Sequence, residues 1–135
     1  MITKTPRKLY FAKGSDVPNC NLPVLLFHSI LSANRGKKAN RFRQVFRENG
    51  WTGIWTDTIF DCTHFHSNAH EVLAIAEGKV TVRLGGDSGR LFRLRAGDML
   101  VLPAGVAHRR VGADDELKGS ALIHRDSRTS ICCAY

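Results

Sequence analysis

Apolar positions along this chain recur mostly at a spacing of two, in short runs broken by glycine, proline and asparagine. Leu22 to Phe27 is one such run, with Pro23 near its start, where a strand tolerates proline. Ile54 to Phe65 reads as one or two strands, with Phe60, Cys62, His64 and His66 on one face and Ile59, Thr63 and Phe65 on the other. Val72–Ala76 and Val80–Leu84 flank Glu77-Gly78-Lys79 and read as a β-hairpin. Leu91–Arg95 alternates after the turn Gly85–Gly89 and sends Arg93 and Arg95 outward. Met99–Leu102 is apolar throughout, as a strand buried on both faces would be.

One stretch has a different period. Phe42, Val45 and Phe46 fall at three- and four-residue spacing, which predicts a helix over residues 38 to 49, stopped by Asn49-Gly50. Residues 1–21 are polar and basic and read as an arm, with a short strand at Leu9–Phe11. Ala121–His124 reads as a strand, Arg125–Ser130 as a polar turn, and Ile131–Tyr135 as an edge. Many short strands with one helix predict an all-β sandwich or barrel with the helix outside. The expected organisation is an arm at 1–21, a domain at 22–124 and a tail at 125–135.

A length of 135 residues and 43% hydrophobic content suit one globular domain. No run approaches the roughly 18–20 apolar residues of a membrane helix, and Met1–Pro6 lacks the apolar core of a signal peptide. A cytoplasmic protein is expected. Cys20, Cys62, Cys132 and Cys133 contain no Cys-x-x-Cys pair and read as thiols. The formal charge of +8 raises nucleic acid as a partner. Arg35, Lys37, Lys38, Arg41, Arg43 and Arg47 would only decorate the wet side of the helix, however, so that reading is disfavoured. A basic rim drawing in an anionic small substrate is an intermediate reading. Asp114–Glu116 reads as an exposed acidic loop, and no phosphate loop or Gly-x-Ser-x-Gly elbow is present.

The chemistry concentrates in Asp61–Glu71 and Gly97–His108. His64 and His66 at i and i+2 share a strand face, and Glu71 follows five residues later. His108 joins them only if the fold brings it there. Imidazoles with a carboxylate form a nitrogen and oxygen set suited to Fe(II), Mn(II), Ni(II), Cu(II) or Zn(II). Such groups converging unpaired would each incur several kcal/mol of desolvation; the alternative is a metal-free barrel whose histidines hydrogen-bond one another. Alternation turns only one of His70 and Glu71 inward, and Glu71 is taken as the ligand, with His70 outward. Cys62 reads as a small core filler and Trp51 and Trp55 as packing; Arg110 shares a face with His108, where it could meet a substrate anion, but as an isolated arginine it reads against that role.

Written out, the two stretches are His64-x-His66-x4-Glu71-x6-Gly78 and Gly97-x5-Pro103-x-Gly105-x2-His108, and in this the sequence resembles the cupins. Asn49-Gly50-Trp51 through His70-Glu71-Val72-Leu73 resembles the YjlB-type subgroup of small single-domain cupins, over roughly residues 20 to 117. The resemblance implies a cupin-type double-stranded β-helix, or jelly-roll barrel, with His64, His66, Glu71 and His108 binding one divalent transition metal inside it: Fe, Mn, Ni, Zn or Cu. Thr58 stands where the family often has Gly, and Gly112 where it often has Asn; neither is a ligand position. Beyond Glu116 the chain departs from the subgroup, so residues from about 118 onward are expected to be placed differently. The resemblance further implies a metal-dependent enzyme acting on a small molecule, the reaction open, or else a non-catalytic metal-dependent binding or sensing module. A homodimer through the edges at Leu22–Phe27 and Leu9–Phe11 is expected.

Overall fold

The computed structural model describes residues 4–31, 38–51, 53–57, 59–111, 121–125 and 131–133. Its strands are β1 (Arg7–Phe11), β2 (Cys20–Phe27), β3 (Trp55–Asp57), β4 (His64–His66), β5 (Glu71–Ile75), β6 (Lys79–Leu84), β7 (Arg90–Arg95), β8 (Met99–Leu102), β9 (His108–Arg110), β10 (Ala121–Arg125) and β11 (Ile131–Cys133), with helix α1 at Lys38–Glu48. They form a six-stranded sheet ordered β1-β2-β8-β5-β10-β3 and a five-stranded sheet ordered β11-β4-β9-β6-β7. The strand pairings are antiparallel throughout.

The period of two decides what lies between the sheets. Val24, Leu26, Leu73, Ile75, Leu100 and Leu102 project inward from one sheet and meet Val80, Val82, Leu84 and Leu94 from the other. The opposite face of the six-stranded sheet carries Val72, Ala74 and Met99, which pack with Phe42 and Phe46 of α1 and with Leu31. β5 is therefore buried on both faces, which is why its sequence is apolar at successive positions. Burying each of the two phenylalanines is worth roughly 1.5–3 kcal/mol. The helix ends as Asn49-Gly50 predicts: Gly50 takes φ +79°, its N–H donates to Arg47 O at 3.1 Å, and the Trp51 N–H donates to Phe46 O at 2.8 Å. This is the paired bonding of a Schellman cap. Trp51 packs against the helix-side cluster, and no helix among the described residues is long and apolar enough to cross a membrane.

Four expectations are corrected. β5 and β6 do not form a hairpin, because both edges of β5 are taken, by β8 and by β10. The Glu77-Gly78 turn instead carries the chain to the facing sheet, and β6 pairs with β7 and β9. Second, the chain beyond residue 118 is not displaced from the barrel at Ala121–Arg125: β10 lies inside the six-stranded sheet, paired with both β5 and β3. Third, the outer edge of β2 is covered within the chain by β1, so Leu22–Phe27 offers no free edge to a second copy. Fourth, Cys62 is exposed and fills no core, since residues 61–63 precede the short β4 and belong to no strand. Thr58, Gly112, Arg35, Lys37, the Asp114–Glu116 loop and residues 126–130 lie outside the described residues.

Candidate metal centre

β4 contributes His64 and His66, both turned inward with Phe65 between them facing away, as an i, i+2 pair on a strand must be. β9 opens with His108, whose Cα is paired directly with that of His64. Glu71 opens β5 in the other sheet, so the carboxylate reaches the three imidazoles across the barrel interior. All four side chains are buried. One ring nitrogen from each of His64, His66 and His108 lies within 4.8 Å of the others, a cluster that could hold a metal ion. Glu71 Oε2 stands 2.7 Å from His66 Nε2 and 3.3 Å from His108 Nε2.

Those two separations are of hydrogen-bond length and favour the ionised carboxylate. His66 Nδ1 and Nε2, His108 Nε2 and Glu71 Oε2 are buried without a hydrogen-bond partner. Ring nitrogens and a carboxylate oxygen gathered at one buried point form a donor set that a shared cation would satisfy. The far side of two rings agrees: His64 Nδ1 meets Cys62 O at 2.9 Å and His108 Nδ1 meets Val106 O at 3.1 Å. A carbonyl can only accept, so each Nδ1 carries the proton and each Nε2 presents a lone pair inward, the arrangement a metal requires of imidazole. The residues fit a metal ion.

Electrostatics point the same way. Burial, reinforced by the neighbouring His108, pushes the His64 pKa down to about 4, which keeps the ring neutral near pH 7. Burial alone would raise Glu71, but its contacts with His108 and His66 outweigh that and hold the carboxyl below its usual range.

The neighbours of the cluster divide clearly. His70 is exposed, and its Nδ1 accepts the Ala104 N–H at 3.0 Å, so of the adjacent pair Glu71 is the inward member. The Gly105 N–H donates to His66 O at 2.7 Å, fastening the turn before His108 to the strand of His66. Gly105 has φ +92°, and a Cβ there would stand 2.6 Å from Asn19 O, so only glycine fits. Asn19 itself escaped the sequence reading, which left it within the polar arm of residues 1–21. It is buried, donates to Ala12 O at 2.8 Å and Gly85 O at 3.0 Å, and accepts the Ala107 N–H at 3.2 Å, holding the residue before His108. No spacing distinguishes such an Asn from a loop residue. Phe60 is 41% exposed with its ring 5.2 Å from that of His64, at the outer side of the cluster. Arg110 donates through Nε to Ile59 O at 3.2 Å, and its backbone N–H donates to Phe60 O at 2.8 Å. Leu73, Val80 and Val82 line the interior, whereas Val101 packs on the helix side.

Comparison with known proteins follows the same lines. A family model described as a cupin domain matches residues 57–123. The uncharacterized protein YjlB of Bacillus subtilis (strain 168) is 27% identical over 108 residues, 79% of this chain and 62% of that protein. An acireductone dioxygenase of Tuber melanosporum (strain Mel28) is 30% identical over 118 residues, 78% of this chain and 66% of that protein. The chain thus spans less than two thirds of the length of both relatives. Among solved structures, an acireductone dioxygenase from Bacillus anthracis with a cadmium ion in its active centre superposes with a TM-score of 0.53 at 16% identity, over 83% of each chain, a likeness of fold. Two facing antiparallel sheets, the two histidine motifs and the matched domain agree: the chain belongs to the cupin superfamily.

Proposed function

We propose that His64, His66, Glu71 and His108 bind one divalent transition metal, drawn from Fe, Mn, Ni, Zn and Cu, and that the chain is a metal-dependent enzyme acting on a small molecule. The observation that carries this reading is the buried convergence of three imidazoles within 4.8 Å of one another, with Glu71 Oε2 beside two of them. A set of three imidazoles and one carboxylate leaves positions open on a six-coordinate ion, which would then supply Lewis acidity to a bound substrate. The chain's own part is orientation and exclusion of water. Carbonyls of Cys62 and Val106 hold two rings in the tautomer that faces inward. Glu71 stays ionised because the histidines beside it favour the charged form. The exposed Phe60 ring stands against that of His64, and Arg110 beside it would meet an anionic substrate.

Dioxygenation is the reaction to test before others, since a relative covering most of this chain is an acireductone dioxygenase. Elemental analysis of untagged protein, followed by oxygen-consumption assays of Fe- and Ni-loaded samples with an acireductone, tests both halves. Stoichiometric metal with substrate-dependent oxygen uptake is expected; absence of bound metal sinks the proposal, and metal without uptake removes the dioxygenase assignment.

A second reading, a binding or sensing module without turnover, has its own support. Outside the histidines and Glu71, the buried polar side chains among the described residues are Asn19 and Asp98, and both are committed to backbone groups. Among the described residues no further acid or base stands ready in the interior. Under either reading we place the protein in the cytoplasm with a small-molecule ligand, and we propose a homodimer formed through the β1 edge, where Tyr10 is exposed.

A further inference from the structure

Away from the histidines, β6 begins where β7 ends, with Lys79 paired to Arg95 and Thr81 to Arg93. Directly opposed residues on an antiparallel pair project to the same face. Lys79, Arg93 and Arg95 therefore stand together on the outside of the five-stranded sheet, all exposed. Like charges placed opposite one another on a ladder are destabilising. Nothing within the described chain relieves them: none of the three side chains has an ion pair or hydrogen bond among the described residues.

The same three side chains border a cavity of about 530 Å³, together with His28, Thr81 and Asp98. Asp98 is the acid on this wall, and it is already engaged. It is buried, its Oδ1 accepts the Ser29 N–H at 2.8 Å, its Oδ2 accepts the Arg95 N–H at 2.9 Å, and that oxygen lies 3.5 Å from His28 Nδ1. It shapes the turn rather than neutralising the cations. The volume falls within the range of small-molecule sites. His108 is paired with Leu84, five strand positions from Lys79, or ~16 Å at the rise of a strand, so the cleft is separate from the metal centre.

We propose that this cleft binds a small molecule through a terminal phosphate. Two guanidinium groups offer planar forks that match phosphate oxygens in pairs, and the lysine adds a point charge between strands. A phosphate monoester carries about −1.5 to −2 near neutral pH. That charge answers most of the three cations at once, whereas a single carboxylate would engage one arginine and leave the Lys79–Arg95 repulsion in place.

The test is titration of the ¹⁵N-labelled full-length chain with inorganic phosphate at about pH 7.5, where phosphate is mostly dianionic, against chloride at matched ionic strength. Saturable amide shifts at Lys79–Thr81 and Arg93–Arg95 are expected, with a melting temperature higher in phosphate than in chloride. Arg95→Gln should weaken phosphate binding roughly ten-fold, the loss of one charge-assisted bond, yet melt at or above the parent in chloride because a like-charge pair is gone. Absence of saturation at these amides, or unchanged phosphate affinity in Arg95→Gln, overturns the proposal. Malonate binding as tightly as phosphate overturns the preference for phosphate. A mixed-sequence oligonucleotide binding these amides more tightly than phosphate reassigns the face to nucleic acid and overturns the small-molecule site.

Discussion

His64 and His108 face one another directly across the β4–β9 ladder, with ring centroids 4.1 Å apart. Two imidazoles that close, both buried, resist a second positive charge, and each is turned by a backbone carbonyl so that Nε2 faces the interior. The strand register itself therefore sets the spacing of half the proposed ligand set.

Removing a ligand should empty the site, and removing its neighbour should not. His66→Ala and Glu71→Ala are each expected to lower metal occupancy by at least about ten-fold, measured by elemental analysis after gel filtration. His70→Ala should leave occupancy near the parental value, because His70 serves the Ala104 N–H from outside the barrel. Loss of metal in His70→Ala with retention in Glu71→Ala would reverse the assignment of the adjacent pair.

Acid should destabilise the metal-free protein before ordinary carboxylates titrate. His64 titrates near 4 when folded against an ordinary 6.5, so between those values the unfolded chain binds the extra proton and stability falls as pH falls. The contribution is at most about 1.4 kcal/mol per pH unit for one such group. Glu71, held below its usual range, acts in the same direction: its contribution is present above the ordinary carboxylate value and lost below it. Urea unfolding of chelator-treated protein at several pH values reads this, and a flat profile from 6.5 to 4 contradicts it.

Asn19→Ala should destabilise the fold by about 2–4 kcal/mol, since it strands the Ala107 N–H and the Gly85 carbonyl in the interior. Because Ala107 precedes His108, metal affinity should fall as well. Asn19→Ala with parental stability and occupancy would show that water replaces the side chain at no cost.

Phe46→Ala should cost about 3–5 kcal/mol by opening a cavity between α1 and the six-stranded sheet. The phenylalanine sits on the face opposite the metal cluster, so occupancy of the folded variant should be unchanged. Calorimetry with metal analysis on the same sample separates the two effects, and lost metal with an intact melting temperature is the contrary result.

Local features were legible in the sequence because they depend on near neighbours. The strand period sent Arg93 and Arg95 outward, the three- and four-residue spacing of Phe42, Val45 and Phe46 marked the helix, and Asn49-Gly50 marked its end. The same period turned His64 and His66 to one side but left open which of His70 and Glu71 turns inward; Glu71 does, because it opens a separate strand in the facing sheet. Partnership between strands was not legible in this way. A glycine turn between two apolar runs looks alike whether it closes a hairpin or crosses to a facing sheet; β5 crosses because β8 and β10, distant in sequence, occupy both its edges. Tertiary pairing likewise drew β10 into the barrel, left Cys62 at the surface, and made Asn19 the clamp beside His108. Side-chain alternation is a property of one strand, whereas register, edge occupancy and the meeting of Glu71 with three histidines are decided by hydrogen bonds and packing between segments that only folding brings together.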